Sequence, residues 1–350
     1  MKILILMLAF VAHSALAQNF MAHDISILFP MPNSSQPAIG VEGIVPQAAL
    51  KILPRLEPTL NRTNQHTRLQ VIAVRVDPPE LRLVWQAFQQ IGNRVEALDA
   101  AVHTFHRIPN TPAFLADLKR VSSFSRSHVS MLQPLSVHPT LAAEGFKGKY
   151  GTELIALIRK HANQGNVFKF TFMAMSLAET AWDFGGWHFV NGAPQSLTIP
   201  KVNITGAQLF INQAFSEFSG GFGPAPKDQE EFNRLVNDSQ KSQVLEPKNL
   251  LAAHNTALRI ENPRIENVDT LDCVSCHLAQ TARTWIEDKD KNMVRNVQNK
   301  FTSKQFILTN TTTDKTRTDN VHAFSYFLDM ATINQRTINE TAFVLEKLNR

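Results

Sequence analysis

Cysteine is nearly absent from this chain: 350 residues hold only Cys273 and Cys276, with His277 directly after them. So few cysteines exclude a disulfide-stapled scaffold and a zinc site built from two cysteine pairs. Glycine is missing from everything beyond Gly223, and only Pro224, Pro226, Pro247 and Pro263 follow it. A glycine-free stretch suits helices better than tight turns. No apolar run reaches 18 residues, so the sequence offers no membrane-spanning helix. Charge of one sign is never concentrated: the formal net charge is +5, and the basic residues are interleaved with acidic ones. That balance excludes a nucleic-acid footprint and a membrane-binding basic tract. Serine-nucleophile, P-loop and dinucleotide motifs are also missing, as are internal repeats.

What is present begins with a leader. Lys2 precedes the apolar run Ile3 to Ala12, and Ala15-Leu16-Ala17 supplies the small-residue pattern cut by signal peptidase. Residues 1–17 are therefore read as a signal peptide. The mature chain is expected to start at Gln18, to have no membrane span, and to be periplasmic or secreted.

The sequence Cys273-Val-Ser-Cys-His277 carries the chemistry. Four sites share such a pair: covalent haem, zinc, a redox dithiol and a structural disulfide. On a helical turn the i, i+3 and i+4 side chains share one face. Two thiols and an imidazole so placed suit a porphyrin, with thioethers to its vinyl groups and nitrogen to its iron, and Cys-x-x-Cys-His is the signature of c-type attachment. Zinc lacks a second ligand pair. The redox dithiol is the stronger rival, but no proline follows the motif and the preceding 261–272 reads as a loop. One motif predicts one haem c per chain.

Glycine, proline and then charge over 220–231 mark a boundary. The spacing predicts an α+β domain over 18–235 and a mainly α-helical haem domain over 240–350. In the first, 25–29, 69–76 and 169–176 read as strands, and 81–101 and 152–162 as helices. Segments 187–190 and 196–202 complete a hairpin or small sheet. In the second, helices are predicted over 247–259, 273–286, 319–329 and 334–348, with a short strand and loop over 301–310.

At the five-residue motif the chain resembles the c-type cytochromes. Its last hundred residues resemble a class I cytochrome c domain in layout: a helix before the motif, a distal methionine after it, an amphipathic helix last. The resemblance covers under a third of the chain. It implies His277 as proximal iron ligand and Met330 as distal ligand, with His322 the second candidate. His254, Met293, His161 and His188 are weaker ones. The chain departs from the class in having no proline after the motif to offer its carbonyl to the proximal imidazole. Arg283 and Trp285 are candidate propionate donors or else a solvated helix face. Trp182 to His188 either lines a ligand surface or packs as strand–turn–strand.

A monohaem electron carrier with an unidentified redox partner protein is the first expectation. The alternatives are a haem enzyme or sensor with an open sixth position, and a partner-binding module in which the haem is subordinate.

Overall fold

The computed structural model describes residues 19–32, 39–125, 133–176, 180–295, 297–312 and 315–350. The leader and the Gln18 start lie outside the described residues.

Fourteen strands are present among them. They are β1 (Ser26–Leu28), β2 (Leu69–Asp77), β3 (Glu80–Ile91), β4 (Arg94–Ala97), β5 (Ala101–Arg107), β6 (Val167–Met175) and β7 (Ala181–Val190). There follow β8 (Ala193–Ser196), β9 (Thr198–Ile199), β10 (Ile204–Thr205), β11 (Ala207–Asn212), β12 (Gly220–Gly223), β13 (Phe324–Phe327) and β14 (Met330–Ile333). Ten of them form one antiparallel sheet in the order β1-β2-β3-β5-β6-β7-β11-β12, with β4 on β3 and β8 on β7. The helices are α1 (Ala22–Ile25), α2 (Gln47–Ile52), α3 (Thr111–Ser122), α4 (Pro139–Glu144), α5 (Lys149–His161), α6 (Glu230–Asn237), α7 (Pro247–Ile260), α8 (Cys273–Lys289) and α9 (Gln335–Leu348). None is long and apolar enough to cross a membrane.

The sheet corrects the expected fold class. A mainly α-helical, cytochrome c-like domain after residue 240 is not what forms: the C-terminal helices and the hairpin β13–β14 lie on the large antiparallel sheet. The two expected domains share their cores. Ala342, Val344 and Leu345 of α9 pack in one cluster with Leu81, Trp85 and Leu154. Ala101, Met173 and Trp182 of the sheet pack in another with Val274, Leu278 and Ala282 of α8.

Two segments expected as helices are strands, for one physical reason. β3 is covered on both faces: Leu81, Leu83 and Trp85 enter one core and Val84 and Phe88 another. A strand buried on both sides loses its polar alternation. Leu81, Val84, Trp85 and Phe88 then fall by coincidence at helical spacing. The two-residue turn Gly92-Asn93 that pairs Ile91 with Arg94 is the hairpin signal that separates the readings. Likewise 319–329 contains β13, with Phe324, Tyr326 and Phe327 buried and a tight turn at Leu328-Asp329. Buried Gln86 joins this hairpin to the sheet. Its amide donates to the Tyr326 carbonyl and its Oε1 accepts from the Tyr326 N–H, both at 2.9 Å. The strands over 69–76 and 169–176 and the helices starting near 152, 247, 273 and 334 form close to the expected bounds, whereas 301–310 forms neither helix nor strand.

Candidate functional site

Asp272 starts α8: its carboxylate accepts from the Ser275 N–H at 3.1 Å, an N-cap that satisfies one of the helix's free amides. Gln208 of β11, fully buried, holds that cap to the sheet. Its amide donates to Asp272 Oδ2 at 2.8 Å and its Oε1 accepts from the Val274 N–H at 2.9 Å. Gln208→Ala should therefore cost about 1–3 kcal/mol, the penalty for stranding buried polar groups. A denaturant midpoint unchanged from the parent protein would show that this clamp carries no weight.

The opening turns of α8 are buried almost throughout. From Leu271 to Ala282 every residue is buried except Cys273, Cys276 and His277, which are half-buried. All three line one cavity of about 440 Å³, within the roughly 300–1,000 Å³ of cofactor-sized pockets. Among the described residues no group of three or more His, Cys, Asp or Glu is arranged to hold a bare metal ion. The motif side chains stand along a wall.

The opposite wall is the sheet. Cross-strand pairing places Ala101, Met173 and Phe184 in one row, and Val84, His103, Thr171 and Gly186 in the next. Arg75, Arg82, Phe105, Lys169 and His188 make a third. All but Gly186 line the cavity. The start of α9 closes it with Arg336, Thr337 and Glu340.

Apolar side chains therefore fill the middle and cations one side. Glu340 ties the cations together, 2.7 Å from both Arg75 and Arg336. Burial raises its carboxyl, but Arg336, Arg75 and Arg82 outweigh that and hold it down at about 2. Arg82 pairs with Glu80 at 3.1 Å and Lys169 with Asp269 at 2.8 Å. Even so, the buried Nε atoms of Arg75, Arg82 and Arg336 have no hydrogen-bond partner among the described residues. Three guanidiniums with donors to spare, beside one cavity, suit a ligand that brings carboxylates.

The chemistry of His277 follows from one contact. Its Nδ1 lies 2.6 Å from the Val321 carbonyl, which only accepts, so Nδ1 carries the proton and donates. Burial lowers the imidazole to about 4, opposed by that bond and aided by His322. A neutral ring with Nδ1 protonated leaves Nε2 as a free lone pair, the state a metal-binding histidine needs. That carbonyl belongs to the approach to β13, 44 residues after His277. Burial also pushes the Cys273 thiol up to about 12, with Asp272 adding to it, and raises Cys276. A redox dithiol needs the reverse, an activated thiolate.

Neither expected distal ligand lines the cavity. Met330 sits at the turn of the β13–β14 hairpin, paired with Phe327. His322 has both ring nitrogens engaged, with Ser325 at 2.7 Å and Asp99 at 2.8 Å. His254 bonds Glu287 at 3.0 Å and His161 bonds Asp117 at 2.8 Å, both away from the cavity. Met293 is buried outside it as well. His188 is exposed at its rim. Arg283 is taken up by Glu261 at 2.9 Å and Glu287 at 3.0 Å, and Trp285 donates to Glu217 at 2.8 Å, so neither reaches the cavity. The run from Trp182 to His188 is one continuous strand whose Phe184 and His188 face the cavity.

Sequence reasoning missed His103, Arg75, Arg82, Arg336 and Glu340. They are spread over three strands and a helix, and only the alternation of β5, with Ala101, His103, Phe105 and Arg107 on one side, hints at a shared face. Compared with known proteins, the chain matches no family model, no curated protein and no solved structure.

Proposed function

We propose that this is an exported monohaem c-type protein that transfers electrons. One observation carries the reading: the N-terminal turns of α8 are buried except at Cys273, Cys276 and His277, and all three line one largely apolar cavity edged by cations. Cys273 and Cys276 would hold haem c by thioethers, and His277 Nε2 would face its iron. Arg75, Arg82 and Arg336 would take the propionates with their unused Nε–H groups. A haem c so held supplies a one-electron couple. The chain's own part is to exclude water with apolar walls, to fix the His277 tautomer through Val321, and to balance the carboxylates with buried cations.

The partner in this reading is a redox protein that docks where the cavity opens, beside the exposed His188 and Asp269. A potentiometric titration of the purified protein should give a single reversible one-electron step. Ferrous protein that binds carbon monoxide on mixing would instead favour the open-site enzyme or sensor. Export adds a mass prediction. The protein recovered outside the cytoplasm should weigh as a chain starting at Gln18 plus one haem. A membrane-embedded chain retaining Met1 would refute the leader.

A further inference from the structure

The cavity has an imidazole on each wall, and the second belongs to the sheet. We infer that His103 of β5 is the second protein ligand of the iron, facing His277 across the haem. The inference rests on the haem reading above and goes beyond it by naming the sixth ligand.

The placement comes from the strand itself. Residues two apart on a strand share a face, and Ala101, His103, Phe105 and Arg107 all line the cavity. In its own row His103 stands among short side chains: its register partners are Val84 on β3 and Thr171 on β6, and Thr171 pairs in turn with Gly186. A Cβ at Gly186 would collide with the Phe170 carbonyl, so this row stays low at that position. His103 is the tallest group on that part of the floor, and it rises toward the space that Cys273, Cys276 and His277 border from the other wall.

Its nitrogens are free for the task. No hydrogen bond reaches either ring nitrogen of His103 from the described residues. By contrast, both nitrogens of His322 are bonded, and so are both of His106, which points the other way on the same strand. His103 is half-buried, so a group that enters the cavity can reach its ring.

The other donors on the walls are less suited. Lys169 is paired with Asp269 and lies over the Phe105 ring at 4.3 Å. His188 is at the exposed rim. Met173 is in the row of Phe184, whose ring lies 4.8 Å from that of His277, so this row flanks the proximal imidazole. The His103 row is the next one along.

The test is spectroscopic and uses the full-length holoprotein. Wild-type ferric protein should be low-spin. Its near-infrared magnetic circular dichroism should show the bis-imidazole signature, with no methionine-to-iron charge-transfer band. This measurement needs no variant. His103→Ala should become high-spin, bind carbon monoxide on mixing when ferrous, and return to low spin with added imidazole. His103→Met should keep six-coordination, gain the methionine band and raise the reduction potential. Covalent haem with a high-spin wild type, a His/Met signature in the wild type, or an unchanged low-spin His103→Ala each overturns the assignment while leaving the haem reading intact. A wild-type chain without covalent haem overturns both.

Discussion

Matured in cells that attach haem c, the polypeptide band will keep haem stain through denaturing electrophoresis, and Cys273→Ala with Cys276→Ala will abolish that stain. The effect is all-or-none because thioethers survive denaturation and coordination through His277 does not. The cavity walls do not depend on the thiols: its floor is cross-strand pairs, and α8 is held by Asp272 and Gln208. The double variant should therefore still fold, with its circular dichroism near that of the parent, and should take up haem that acid solvent removes. A wild-type band that never stains under these conditions defeats the proposed function. A double variant that stains as strongly as wild type would remove the motif from the attachment.

The second large effect concerns stability. Arg336 is almost fully buried. It donates to the carbonyls of Ile260 and Glu266 and pairs with Glu340. Arg336→Met should cost about 3–5 kcal/mol, as expected when one member of a buried charge cluster is removed and its partners are stranded. Denaturant unfolding should show the loss as a lowered midpoint at constant slope. A loss below about 1 kcal/mol would mean that the cluster behaves as a solvated surface pair. With haem c bound as proposed, the same change would remove a positive charge from the cavity wall beside it. Ferrous haem is then stabilised less and the potential should fall, by about 59 mV for each 1.4 kcal/mol lost. Glu340→Gln removes a negative charge from the same place and should raise it.

How far the sequence speaks here depends on the range of each signal. Cys273, Cys276 and His277 are legible because their chemistry is local: one helical turn sets the spacing, and the structure puts all three on one cavity wall. The helices α7, α8 and α9 were similarly within reach, since an amphipathic stripe and a starting proline suffice. β3 was not, because burial on both faces mimicked a helical stripe and outweighed Gly92-Asn93. The opposite wall was out of reach for another reason. Arg75, Arg82, His103 and Lys169 meet only through sheet register, and register is a long-range property that spacing along one chain does not encode. Met330 and His322 were drawn from a layout in which the helical part closes on itself. In this fold that part closes on the sheet, so the cavity that His277 lines is walled by residues drawn from 75 to 188.

β5 is an interior strand, bonded to β3 on one side and β6 on the other. A side chain on a loop can swing aside and admit a visitor. The backbone that carries His103 moves only if two hydrogen-bonded ladders give way. Exchange at the sixth position would then be governed by rotation about the His103 side-chain bonds alone. Ligand on-rates should be slow and strongly temperature-dependent, and nearly independent of solvent viscosity, which damps loop motion but not rotation inside a packed wall.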